Sequence, residues 1–199
     1  MRTFTAPLVI SVLALTAGAC AAPPTAAIDA AETALTTART ADAAQYAPED
    51  LQEAETAMAA LRAELQTQEE KFGLLRSYDK ASELAAETTR MSDAAEQQAT
   101  AERERLREET AEMLAAARAA LEESKLLLTE APRGKGTEAD LAALANDLTL
   151  VEAALQSAEQ EFGGEHYIGA RNHAIHAKQT AMQVKAAIEQ ATQAVLPRE

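Results

Sequence analysis

The sequence predicts an all-α protein: two duplicated three-helix units joined by a long continuous helix. Three observations predict it. First, Leu51, Ala54, Met58, Leu61, Leu65, Gln68 and Phe72 alternate three- and four-residue steps, which puts them on one stripe of a helix at the heptad period of packed helices. Second, Leu141, Leu144, Leu148, Val151, Leu155, Ala158 and Phe162 keep the same spacing ninety residues on. Third, composition leaves little room for another class. Of 199 residues 50 are Ala, only 7 are Gly and aromatics make up 3%, which argues against a β-sandwich or barrel. The same composition raises the question of disorder. Hydrophobic residues reach 47%, yet Leu, Ile, Val and Phe together form only about 18% of a chain with net charge -14, under the roughly 20% at which a charged chain is suspected of not folding. The periodicity answers it, because the few large apolar residues sit on the helical seams.

Taken in order, residues 1–19 read as a leader. Arg2 supplies a positive start, and Phe4 to Thr16 is an apolar run too short for a membrane span of about 20 residues. Ala17-Gly18-Ala19 followed by Cys20 resembles the bacterial lipobox, in which the Cys is lipidated and becomes the mature N-terminus. The strongest form of that motif has Leu where this chain has Ala17. An ordinary secretory cleavage after the same small residues is the rival reading and would leave Cys20 an unpaired thiol. The lipobox resemblance implies more than one acyl chain on Cys20, enough for stable anchoring. It also implies, with Ala21 rather than Asp after the Cys, the outer membrane on its periplasmic face. Residues 20–26, with Pro23 and Pro24, are expected to be a stiff lipid-anchored tether.

The first three-helix unit is expected over 27–98. Ala30-Ala31, Leu35 and Arg39 mark its first helix. Ala47-Pro48 make a turn, and Pro48 suits a first helical turn, with Glu49 and Asp50 complementing the helix dipole. The seam from Leu51 forms the second helix and stops at Phe72-Gly73, where Gly is expected to take the left-handed conformation. The third helix starts at Tyr78 and continues through Ala81, Ala85, Thr88, Ser92 and Ala95. Neither Gly nor Pro occurs from Tyr78 to Ala131, so one helix of about 50 residues, near 75 Å, is expected. Residues 99–109 carry Leu106 as their one large apolar residue among Glu102, Arg103, Glu104, Arg105, Arg107, Glu108 and Glu109; they read as a solvated helical bridge with close ion pairs such as Glu102 with Arg105.

The second unit is expected over 110–196. Ala116-Ala117, Leu121 and Lys125 repeat the first helix, Ala131-Pro132 repeat the turn, and Thr137 with Asp140 suggests a cap. The Leu141 seam ends at Phe162-Gly163. Tyr167, Ala170, Ala174, Ala177, Ala181, Val184, Ile188, Ala191 and Val195 form the last seam. Seams rich in Ala allow close helix approach and bury little area, so stability is expected to be modest.

Tyr46-Ala47-Pro48-Glu49-Asp50-Leu51, with Ala54, Leu61, Tyr78, Ala81, Leu84 and Ala85, resembles a family of bacterial lipoproteins carrying the domain of unknown function 4398. There a Tyr-Ala-Pro turn lies between Ala-rich helices downstream of a lipobox. The resemblance spans roughly residues 15 to 100. Beyond that it rests on the internal copy, where the turn reads Glu130-Ala131-Pro132. It implies an envelope location and supplies no catalytic residues.

No catalytic constellation, cofactor site or metal site is expected, and the protein reads as a non-enzyme. His166, His173 and His176 fall in one stretch beside Glu165, and would serve a periplasmic metal or stress sensor. Their positions off the Tyr167 seam make them surface residues on the plainer reading. Gly134-Lys135-Gly136-Thr137 lacks the upstream Gly of a phosphate loop and reads as a turn, with Arg133 and Lys135 as a small basic spot. Acidity argues against nucleic acid as a partner. The expected role is that of an outer-membrane-anchored periplasmic scaffold or adaptor, attached to the membrane through Cys20, with an envelope protein or a second copy as partner. Non-covalent contact with peptidoglycan is the alternative.

Overall fold

The computed structural model describes residues 22–133 and 138–195. Among the described residues the regular structure is helical: α1 (Thr25–Thr40), α2 (Ala43–Tyr46), α3 (Pro48–Glu69), a 3-10 turn (Gly73–Leu75), α4 (Asp79–Glu130), α5 (Glu138–Gly163) and α6 (Tyr167–Val195). The leader, Cys20 and the turn at 134–137 lie outside the described residues. The chain forms two compact units. One contains the chain up to Thr40 with Glu49–Ala95; the other contains Ala41–Pro48 and the chain from Glu96 on.

In the first unit the expected seams are buried. Ala31, Leu35 and Ala38 come from α1, and Leu51, Ala54, Met58 and Leu61 from α3. Tyr78, Ala81, Ala85, Thr88, Ser92 and Ala95 complete the core. Helices α1 and α3 are antiparallel, as two ion pairs show: Glu32 meets Arg62 at 3.3 Å, and Arg39, seven residues on, meets Glu55, seven residues back, at 2.6 Å. A buried Leu contributes about 1.5–3 kcal/mol and an Ala much less, so this core leans on the strong helix propensity of Ala, Glu, Leu and Gln.

The α3–α4 turn departs from expectation. Helix α3 ends at Glu69, not at Phe72, and no described Gly has a positive φ. Gln68 and Arg76 tie the two helix ends together instead. At Gln68, buried at the end of the seam, the side-chain carbonyl accepts the Ser77 N–H at 3.1 Å and the amide donates to Glu64 at 2.6 Å. Arg76 closes the helix end by donating to the Glu69 and Lys71 carbonyls at 2.8 and 3.0 Å. A guanidinium thus satisfies carbonyls that a left-handed Gly would otherwise help to satisfy, and a side-chain amide satisfies a donor ahead of α4.

In the second unit α4 and α6 run parallel with a two-heptad repeat. Thr110 Oγ1 donates to the Tyr167 carbonyl at 3.3 Å, and Ser124 Oγ donates to the Ala181 carbonyl at 2.9 Å. Glu109 pairs with Arg171, and fourteen residues later Glu123 pairs with Lys185. Each contact recurs after fourteen residues on both helices, the signature of a sustained seven-residue seam. Helix α5 is antiparallel to α4, with Arg118 on Glu159 and Lys125 on Glu152. Leu114, Leu121, Leu148, Val151, Leu155, Val184 and Ile188 fill the core.

The solvated bridge expected over 99–109 is corrected here. Ala99 and Leu106 are buried, Arg103 pairs with Glu165, and the segment belongs to the second unit. The stripe of Ala95, Ala99, Leu106 and Thr110 keeps helical spacing through it, and the surrounding charges hid that stripe. Those charges do pair along the helix: Glu102 with Arg105 at 2.6 Å and Glu104 with Arg107 at 2.6 Å. Ala41–Pro48 also differs from the expected boundary, since α2 packs with the second unit rather than the first.

The second turn brings a further difference. After α5 the left-handed residue is Glu165, with φ 64°, two positions past Gly163. The His166 N–H donates to the Glu161 carbonyl at 2.9 Å and the Glu165 N–H to Phe162 at 3.1 Å, which together make a Schellman motif. Glu165 also pairs with Arg103 of α4.

Candidate functional site

Among the described residues no group of three His, Cys, Asp or Glu side chains is close enough to share a metal ion. His166, His173 and His176 are all on or just before α6, away from its buried seam. The structure gives His173 a single carboxylate, with Nε2 3.4 Å from Glu161 Oε1, while Glu165 is occupied by Arg103. The second Glu161 oxygen is buried without a hydrogen-bond partner against α6. A Cβ at Gly169 would collide with that oxygen, so the absence of a side chain at 169 is what lets the carboxylate lie there. This pair joins α5 to α6 and leaves the His cluster without a convergent ligand set. Cys20, the expected lipidation site, lies outside the described residues.

The Tyr46-Ala47-Pro48 turn is built on Asp42, a left-handed residue with φ 58° whose carbonyl accepts the Gln45 and Tyr46 N–H groups at 2.9 and 3.1 Å. This bends the chain sharply between α1 and α3 and buries Tyr46 in the second unit. Burial pushes its phenol above the usual range, and the nearby Arg103 guanidinium acts in the opposite direction. The Tyr of the turn is therefore a packing residue.

What the fold offers for binding is grooves between helices. In the first unit α3 and α4 border an open groove of about 550 Å³. Ala57, Ala60, Leu84 and Met91 supply apolar surface, and Glu49, Glu53 and Glu87 supply carboxylates. In the second unit α4 and α6 border a groove of about 490 Å³ with Ala116, Ala119, Ala120, Ala186 and the half-exposed Met182. Both follow from Ala-rich seams, because small residues beside the contact line leave a channel where larger ones would close it. Sequence periodicity assigned these residues to helices without identifying the grooves. Positions such as Ala60 and Ala116 sit just off the seam, and only the crossing of two helices makes a channel of them.

Several residues that organise these surfaces escaped the sequence reading. Gln68 looked like a misplaced polar residue on an apolar stripe, and that misfit was its signal. Leu74 and Leu75 fall off the three-four register and are exposed, with Phe72, at the α3–α4 turn.

No protein-family model matches the chain, and neither a curated protein nor a solved structure matches it. The resemblance to the lipoproteins carrying the domain of unknown function 4398 therefore rests on the residues around Tyr46 and Tyr78 alone. No described helix is long and apolar enough to cross a membrane.

Proposed function

We propose that this protein is a lipid-anchored, outer-membrane periplasmic scaffold, non-catalytic, that holds an envelope partner against its helices. The observation that carries the adaptor half is the α3–α4 groove: Ala57, Ala60, Leu84 and Met91 give it an apolar strip, Glu49, Glu53 and Glu87 border it, and it is open to solvent. An amphipathic helix lays its apolar face into such a groove. Three carboxylates favour a helix with Lys or Arg on its flanks. The anchoring half is supported by Ala17-Gly18-Ala19-Cys20 and by Ala21 after the Cys. No cofactor or metal enters this reading. The duplicated three-helix plan supports it too, since each copy would present its own helical surface.

Two experiments test the halves separately. Mass analysis of the N-terminal peptide should find acyl chains on Cys20, and Cys20→Ser should release the protein from membranes; an unmodified thiol sinks the anchor. A photo-crosslinking residue at Ala60 should give one discrete adduct in the intact envelope, lost when Leu84→Glu fills the groove with charge. A protein that sediments as a monomer and yields no adduct from Ala60 or Ala116 is not an adaptor.

A further inference from the structure

The α3–α4 turn holds three large apolar side chains in the open. Phe72, Leu74 and Leu75 are 72%, 79% and 73% exposed, within four consecutive residues. The backbone that carries them is tied down. The Leu75 N–H donates to Phe72 at 2.8 Å, Arg76 grips two carbonyls of the α3 end, and Ser77 is bonded to Gln68. Their exposure is thus a property of an ordered turn. The corresponding Phe of the second unit behaves differently: Phe162 packs edge-on against Tyr167 with ring centroids 5.4 Å apart. Contiguous apolar exposure of this kind marks a surface that something covers.

The antiparallel register of α1 and α3 shows which end of the first unit this is. Glu32 lies opposite Arg62, and Arg39 opposite Glu55. Continued to the start of α1, that register sets Thr25, the first residue of α1, level with Glu69, the last of α3. The chain therefore enters the first unit at the same end from which the apolar tip projects, five residues after Cys20.

We infer that Phe72, Leu74 and Leu75 insert into the lipid surface to which the chain is anchored, a second membrane contact made by the protein itself. The inference rests on the lipid-anchor reading for its direction, because acyl chains on Cys20 would bring this end of the unit to the bilayer. Two further observations favour lipid over a second copy. The tip comprises three side chains, well short of the ~800 Å² per partner that a stable dimer buries. A bilayer interface accepts such a tip without a preformed cavity. Lys71 and Arg76 flank the tip and suit headgroup phosphates, alongside the exposed carboxylates of Glu69 and Glu70 at the end of α3. The consequence is orientational: with the anchor and the tip both in the interface, α1 and α3 stand on end and their grooves face the periplasm.

The chain has no Trp, so Phe72→Trp creates a unique reporter at the tip. The full acylated protein would be reconstituted in phosphatidylethanolamine–phosphatidylglycerol vesicles. The Trp emission should shift to the blue and be quenched by lipids brominated on their acyl chains. A control Trp placed by Thr36→Trp, on the exposed face of α1, should show neither effect. Leu74→Ser with Leu75→Ser in the Phe72→Trp background should remove most of the quenching while helicity by circular dichroism stays unchanged. An acylated Phe72→Trp protein whose emission is unquenched overturns the inference and leaves the anchor standing. Quenching that persists in a Cys20→Ser chain supports the tip, whereas a native Cys20 found without lipid overturns the anchor whatever the quenching. A blue shift without vesicles, accompanied by dimers in the ultracentrifuge, assigns the tip to a second copy and overturns the inference.

Discussion

Two buried serines show how much the chemistry around one atom matters. Ser92 and Ser124 are both fully buried on α4. Ser124 Oγ reaches the Ala120 and Ala181 carbonyls at 2.7 and 2.9 Å, whereas Ser92 Oγ is buried with no hydrogen-bond partner. A buried hydroxyl without a partner costs about 1–3 kcal/mol, and Ser is a poorer helix former than Ala by up to about 0.7 kcal/mol. Ser92→Ala should therefore stabilise the protein by about 1 kcal/mol. Ser124→Ala should destabilise it, by up to about 1 kcal/mol, because the lost bond outweighs the gain in propensity. Urea midpoints of the two variants measure both effects, and shifts of the same sign would refute the distinction. The residue scale also explains why Glu161 and Gly169 belong together. The carboxylate occupies the space a Cβ would need, and so contacts His173 from beside the α6 backbone.

At the scale of the element, the α3–α4 turn depends on Gln68. Its amide is the only side-chain group holding the Ser77 N–H among the described residues, and it also positions Glu64, which pairs with Lys80 at 3.1 Å. Gln68→Leu keeps the seam apolar and of similar volume, so a change driven by packing alone would be neutral or stabilising. Loss of the network should instead cost about 1–3 kcal/mol and speed amide exchange at Ser77. A variant as stable as the parent, with Ser77 exchange unchanged, would mean that Arg76 alone holds the turn. The α4–α6 pair makes the same point for a long element. Its register is written in polar contacts at the seam edge, Thr110 and Ser124 with Glu109 and Glu123, which lock a fourteen-residue step that Ala alone would let slide.

Across the whole molecule, charge sets the pH range of stability. Hydrogen bonds from the Gln68 amide and from Lys80 hold the Glu64 carboxyl below its usual range. Arg171 does so for Glu109, Arg105 for Glu102 and Arg107 for Glu104. A carboxyl whose folded pKa is lowered contributes stability above its ordinary value near 4.5, and that contribution is lost as pH falls through the lowered value. On the alkaline side Glu152 raises Lys125, Glu123 raises Lys185, and burial raises Tyr46. For the two lysines the contribution is complete below the ordinary value of 10.5 and is lost as pH climbs through the raised one. Tyr46 has the same sign for a different cause: burial disfavours its phenolate, so above the ordinary value of 10.0 the folded state holds a proton that the unfolded chain releases, and stability falls there too. Thermal melts by circular dichroism should therefore show a plateau between about pH 5 and 10, with midpoints falling on both sides. Self-repulsion from the net charge of -14 eases toward the pI near 4.7, so the acid limb should begin below it. Midpoints that keep rising to about pH 3 would show that the ion pairs contribute nothing.

Helix type and seam membership were legible in the chain because both depend on spacing. From Leu51 to Gln68, from Leu141 to Ala158 and from Tyr167 to Ile188, apolar residues at three- and four-residue steps have one good solution, and the structure buries all of them but Leu65 and Leu144, which are partly buried. The absence of Gly and Pro from Tyr78 to Ala131 sufficed for α4, since nothing there stops propagation. The turns were not legible. Helix α5 does stop at Gly163, but Glu165 takes the left-handed position after it, and α3 stops short of Gly73, its end closed by Arg76 and tied to the start of α4 by Gln68. Which group satisfies a helix end depends on what the next helix brings within reach, and spacing carries no record of that. The same holds for Ala99 and Leu106, whose burial needed the partner surface of the second unit to exist. It holds for the candidate surfaces as well: the grooves arise where two Ala-rich helices cross, and the Phe72 tip is exposed because α3 ends three residues before it. Local periodicity determined the elements; which side chains meet, which are left uncovered, and at which end of the unit they stand was decided only when distant segments packed.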